Sequence, residues 1–139
     1  MTSDLTGLVL THDEKLLIAT GGKSTLFLDP ATGPVLSEIE GEPGDGSVYA
    51  NVRLDDKTAF VSNERSHSIS VIDVATRKVT GRIQVGNAPI ALTFSPDGKL
   101  LYTTSQPAFP DWGWAADACE AENAAGRKHP KGAVVVIDV

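Results

Sequence analysis

"FSPDGKLLYTTSQ", residues 94–106, reads as a strand, a tight turn and a second strand. Pro96 presets φ for a turn, and Gly98 accepts the left-handed backbone that such a turn ends on. "LTHDEKLLIAT" from Leu10 and "VRLDDKTAFVS" from Val52 repeat the pattern in weaker form. With Leu10, Val52 and Phe94 in register, each step is 42 residues. Asp13, Asp55 and Asp97 then coincide, as do Lys15, Lys57 and Lys99. Leu17, Ala59 and Leu101 also coincide, followed by Ile18, Phe60 and Tyr102. A shared phase over so many positions marks an internal repeat.

Within each copy the apolar residues alternate with period two, as strands do. Leu8/Leu10, Ala50/Val52 and Leu92/Phe94 form the apolar side of strand A. Strand B is residues 16–20, 58–62 and 100–104; strand C is residues 24–29, 68–73 and 133–138. Strand D follows a turn at "DPATG" and "DVATRK" and covers 35–39 and 78–85. Glu14 and Asp56 stand where the third copy has Gly98, which predicts strain or another turn type in the first two copies. The recurring aspartates are expected to accept backbone N–H bonds in their turns. A single active site has no use for three copies of the same acid.

Four antiparallel strands every 42 residues predict an all-β chain built of β-propeller blades. No long stretch shows the helical period, which excludes helical repeats. A β-sandwich would not keep its hairpins in phase. The blades are expected at about 6–40, 47–85 and 89–139, forming one partial propeller domain. The third carries an insertion at about 107–131, because Asp97 to Asp138 takes 41 residues where Asp55 to Asp73 takes 18. That is about three blades, the third without a strand D, whereas closed propellers have roughly four to eight. The expectation is a fragment of a longer ring, with remaining blades or other subunits needed to close it.

"VGNAPIALTFSPDGKLLYTTSQ" with "GAVVVIDV", and "FVSNERSHSISVIDVATRKVTGRIQVGNAP", resemble the YVTN-type β-propeller repeat. Gly86, Pro89, Ser95 to Lys99, Tyr102 and Val71 to Asp73 sit on that pattern. The resemblance spans nearly the whole chain outside 107–131. It implies a seven-bladed ring and a secreted or periplasmic protein without an assigned activity. Lactonase-type and some dehydrogenase propellers are similar in architecture, but none of their catalytic motifs maps onto these residues. The first copy departs from the pattern, with Thr11 to Lys15 in place of the Pro-Asp-Gly turn.

The net charge of −6 disfavours nucleic acid and acidic membrane surfaces as partners. No apolar run reaches the ~18 residues of a membrane span. "MTSDLTGLVLTHDEK" has no basic segment leading into an apolar one, so it does not read as a secretory signal. Cys119 is the single cysteine, with three expected fates: a free thiol, a packing residue or a bridge to sequence beyond this chain.

Strand alternation places the A–B and C–D turns at one end of the blades. The B–C loops, the D-to-A crossings and the insertion gather at the other. Binding residues concentrate on loops carried by a rigid scaffold, so the second end is the expected functional one. Asn63, Glu64, Arg65 and His67 in "NERSH" are its candidates in the second blade. His67 with Glu64 suits acid–base work, and the competing reading is an exposed polar loop tip.

Asp111, Trp112, Trp114 and His129 are the candidates in the insertion. Its tryptophans suit a lid packed on the propeller or an aromatic wall for a ligand. "AADACEAENAAG", 115–126, has the composition of a short helix. Asp111, Asp117, Cys119, Glu120, Glu122 and His129 lack zinc-ligand spacing, so no metal and no cofactor is expected. "GEPGDG", 41–46, precedes a strand rather than a helix, which argues against a phosphate cradle. His12 is expected to be solvated in the first A–B turn. No G-x-S-x-G nucleophile motif occurs. The function expected is a binding scaffold for a small molecule or a protein. The alternative is a hydrolase or oxidoreductase propeller whose catalytic groups lie mostly in other blades.

Overall fold

The computed structural model describes residues 5–40, 46–106 and 132–139. All regular structure among them is β. Strands β1 (Gly7–Leu10), β2 (Leu17–Gly21), β3 (Ser24–Leu28) and β4 (Val35–Glu40) form one antiparallel sheet in sequence order. β5 (Ser47–Val52), β6 (Thr58–Asn63), β7 (Ser68–Asp73) and β8 (Lys78–Gln84) form a second. β9 (Pro89–Phe94), β10 (Leu100–Ser105) and β11 (Ala133–Asp138) form a third, with β11 on its edge. No helix among the described residues is long and apolar enough to cross a membrane.

The three sheets are successive blades of a β-propeller. β1 packs beside β5 and β5 beside β9, so the first strands gather along one line while the sheets stack face to face. The 42-residue register holds in three dimensions. Val9 pairs with Ile18, Asn51 with Phe60 and Thr93 with Tyr102.

Two apolar cores fill the two spaces between blades. Leu16, Ile18 and Phe27 of the first blade meet Ala50, Val52, Ala59, Val61 and Ile72 of the second. Phe60 and Ile69 of the second meet Leu92 and Leu101 of the third, with Val71, Ile83 and Phe94 packed around them. Phe60 and Phe94 stack edge to face, with centroids 5.5 Å apart, the arrangement that ring quadrupoles favour. The second sheet is therefore apolar on both faces. That requires a neighbour on each side.

The A–B turns share one geometry. Glu14, Asp56 and Gly98 have φ of 60°, 56° and 70°. Their N–H groups donate to Thr11, Arg53 and Ser95 carbonyls at 2.8–2.9 Å. The first two turns are thus of the same type as the third, and a glutamate and an aspartate occupy the backbone region that glycine takes freely. Asp13, Asp55 and Asp97 accept from the N–H of Lys15, Lys57 and Lys99. Thr11 and Ser95 hydroxyls donate to Asp13 and Asp97 at 2.7 and 2.6 Å. Those hydroxyl bonds, then the lysine N–H bonds, hold the Asp13 and Asp97 carboxyls below their ordinary range. At the C–D turns Asp29 accepts from Ala31 and Thr32 N–H, and Asp73 from the N–H and hydroxyl of Thr76. These bonds lower both carboxyls too.

Candidate functional site

The end of the blades opposite the aspartate turns carries the β2–β3 and β6–β7 loops and the crossings into β5 and β9. Between the first two blades it holds a cavity of about 280 Å³, lined by Thr6, Gly22, Gly46, Ser47, Val48, Glu64 and Arg65. Backbone bonds build its walls. Ser47 N–H donates to Gly22 O, and Glu64 N–H donates to Gly46 O, both at 2.8 Å. The Thr6 hydroxyl reaches the Val48 carbonyl at 3.1 Å. Gly46 has φ of +72°, and a Cβ there would stand 2.9 Å from Arg65 Cγ and 3.0 Å from its N. Only glycine lets the crossing run this close beneath Arg65.

Of the residues expected from sequence, Glu64 and Arg65 line this cavity. Arg65 is exposed and Glu64 half-buried. Asn63 is placed differently: it ends β6 instead of opening the loop, and it is fully buried. Its side-chain oxygen accepts from Ser47 Oγ at 3.1 Å. Its amide donates to Ser70 Oγ at 2.8 Å and Ser68 Oγ at 3.3 Å. Burial of a polar side chain requires such partners, and Asn63 ties β5, β6 and β7 together below the cavity.

His67 is a half-buried joint and not an exposed tip. Its Nδ1 accepts the Ala88 N–H at 3.1 Å, and its carbonyl accepts the Val85 N–H at 3.1 Å. Both bonds anchor the crossing into β9. With Nδ1 so occupied, this face of the ring is turned to the backbone. Asp111, Trp112, Trp114 and His129 lie outside the described residues, as do the short helix expected at 115–126 and Cys119.

His12, expected to be solvated, is held by the neighbouring blade. Its Nδ1 lies 2.7 Å from Asp56 Oδ1. The same carboxylate accepts the N–H of His12 at 2.8 Å and of Asp13 at 2.9 Å. Burial pushes the Asp56 carboxyl up, yet the N–H and ring of His12 and the N–H of Asp13 hold it below its ordinary value. This cluster belongs to the turn end and joins blades.

Sequence reasoning passed over Thr6, Ser47 and Val48, which line the cavity from strand starts and not from loops. Gly22 and Gly46 were visible within "TGGK" and "GEPGDG". Chemically the cavity offers one carboxylate, one guanidinium and hydroxyl groups. That set suits polar recognition more than bond-breaking. No group of three or more His, Cys, Asp or Glu able to hold a metal occurs among the described residues.

No family model matches the chain, and no curated protein matches it. Among solved structures it is similar to hydrazine synthase of Kuenenia stuttgartiensis, at 26% identity and a TM-score of 0.69. The likeness covers 76% of this chain and 31% of that one, so the chain spans about a third of that structure's length.

Proposed function

We propose that this chain is part of a YVTN-type β-propeller repeat protein working as a binding scaffold, which offers the irregular-loop end of its blades to a small molecule or a protein. The observation that carries this reading is the contrast between the two ends. Aspartates close the turns of one end in every blade. The other end holds a glycine-rimmed cavity with Glu64 and Arg65 at its edge. The resemblance to YVTN repeats supports the same reading, with further blades completing a seven-bladed ring. The tryptophan-bearing insertion emerges at this end and would extend the surface.

Trp112 and Trp114 are the only tryptophans, so intrinsic fluorescence reports on the insertion alone. Screening a set of polar metabolites by amide NMR should shift resonances at Gly46, Glu64 and Arg65, with a fluorescence change for ligands that reach the insertion. Arg65→Ala with Glu64→Ala should abolish those shifts. Ligand shifts confined to the aspartate-turn end would refute the reading.

A second reading, an enzyme propeller, has one point in its favour: the similar solved structure is named a synthase. It needs catalytic groups from blades beyond this chain.

A further inference from the structure

The loop ends of the two junctions are closed by loops of different length. β2 and β3 are joined by Gly22 and Lys23, whereas β6 and β7 are joined by Glu64 to His67. At the second junction the longer loop sets His67 on the crossing, where its Nδ1 takes the Ala88 N–H. Gly46 holds the repeat place of Ala88 at the first junction. There the short loop meets the crossing through a backbone group, the Gly22 carbonyl, which accepts the Ser47 N–H. A glycine crossing beside so short a loop leaves the cavity of about 280 Å³ open.

The floor of this cavity is rich in acceptors. At the second junction Ser62 Oγ donates to the Ile90 carbonyl at 2.6 Å. The repeat counterparts at the first junction are Thr20 and Val48, and the fully buried Thr20 hydroxyl has no hydrogen-bond partner. It stands beside the Val48 carbonyl, since a Cβ on Gly7 would collide with both oxygens. The carbonyls of Val48, Ser47 and Thr20 instead surround Thr6 Oγ1 at 3.1, 3.2 and 3.4 Å. A hydroxyl has one proton, which serves only one of the three. The Glu64 carboxylate lines the same cavity. Such a site is completed by a group with several donors and no acceptor, which describes a primary ammonium.

The rim supplies the opposite charge. Arg65 lays its stem over the crossing, where a Cβ on Gly46 would stand 2.9 Å from Arg65 Cγ. Glu64 is tied to the same glycine through its N–H, which donates to Gly46 O at 2.8 Å. Gly46 thus holds a carboxylate and a guanidinium at one cavity. Neither is in an ion pair among the described residues. Lys23 is exposed and outside the lining. A guanidinium fork matches a carboxylate. The volume lies at the bottom of the ~300–1,000 Å³ range of small-molecule sites, which suits a ligand of few atoms.

We infer that the cavity at the first junction binds a small free amino acid as its zwitterion, with the ammonium among Glu64 and the Ser47 and Val48 carbonyls and the carboxylate on Arg65. A ligand of one charge would satisfy one of the two rim groups and face the other with like charge, which complementarity disfavours. The inference rests on the reading of the loop end as a binding surface and names its ligand class.

Calorimetric titration of the full-length protein with glycine, L-alanine and L-serine should show binding of at least one of them. For alanine, the analogues lactate and ethylamine lack the ammonium and the carboxylate in turn, and each should bind at least ~tenfold more weakly. Arg65→Ala should weaken amino-acid binding by a similar factor and leave ethylamine unchanged; Glu64→Gln should weaken it likewise and leave lactate unchanged. Both side chains lie outside the core, and an unchanged Tm confirms that each variant folds. Lactate or ethylamine bound as tightly as alanine, and weakened by Arg65→Ala or Glu64→Gln, overturns the zwitterion while the loop end remains a binding surface. Absence of binding by all three amino acids, or binding indifferent to both substitutions, overturns the inference as well, and the polar-metabolite screen then judges the loop end by itself.

Discussion

The junction between the first two blades and the junction between the second and third are built on the same repeat positions with different residues. At the first, Ile18 and Phe27 face Ala50 and Val52; at the second, Phe60 and Val71 face Leu92 and Phe94. Bulk moves from strand to strand while the space stays filled, as close packing requires. The turn ends differ more. His12 and Asp56 clasp the first junction through a ring-to-carboxylate contact and two backbone bonds. At the equivalent places of the second junction stand Leu54 and Gly98, which carry no side chains for such a clasp. The loop ends differ too. The first junction buries Thr20, Thr25, Ser47 and Asn63, where the second buries Ser62, Ile69 and Ala88. The repeat thus preserves shape and phase, and each junction supplies its own chemistry.

Removing the bulk should have the largest effect. Phe27→Ala and Phe60→Ala should each cost about 3–5 kcal/mol in urea unfolding. Phe27 also lies 6.0 Å beneath the Arg77 guanidinium, so Arg77→Ala should cost ~0.5–1 kcal/mol in the wild type and in a Phe60→Ala background, and little once Phe27 is already alanine. Equal sensitivity of the Phe27→Ala and Phe60→Ala backgrounds to Arg77→Ala would break the distinction between junctions.

Next comes the buried polar hub. Asn63→Ala removes the acceptor of the Ser47 hydroxyl and the amide donor to Ser68 and Ser70 at a fully buried position. It should cost about 1–3 kcal/mol, whereas Arg65→Ala nearby should shift the urea midpoint little.

Acid should act on the first junction more than on the second. The Asp56 carboxyl is depressed in the fold, so it contributes stability above its unfolded value of about 3.9. That contribution is lost as pH falls through the lower folded value. Asp13 and Asp97 carry the same sign at their own turns. Replacing the clasp by the residues of the second junction, His12→Leu with Asp56→Gly, should change neutral-pH stability by under ~1 kcal/mol. It should flatten the fall in Tm below pH 4; an unchanged acid profile would remove the clasp from the account.

The smallest effect expected is a gain. Glu14 is exposed at φ of 60° where the third blade has Gly98. Glu14→Gly should raise stability by about 0.5–1 kcal/mol in thermal unfolding, by relieving left-handed strain.

Much of the fold was legible because its determinants are local. Asp13, Asp55 and Asp97 bond to N–H groups two residues on, a relation any copy of the motif displays. Strand pairing followed from period-two alternation and short turns. The candidate site was legible only in part. Glu64 and Arg65 were found because they sit on a loop. Asn63 was placed one residue too far out, because nothing local says that β6 runs through it; its three serine partners come from β5 and β7. His12 and Asp56 looked unrelated, since they stand 44 residues apart.

The sequence alone determined the blade: its period, its four-strand order and the end on which each turn falls. Those follow from backbone geometry and from side chains acting on near neighbours. Only the tertiary structure decided which polar residues are buried and which clasp joins which turn. It also decided that Leu8, Leu10, Val134 and Val136 face solvent while their repeat counterparts do not. Each depends on the presence or absence of a neighbouring blade, and a face is buried by what stacks on it, which the residues of that face do not encode.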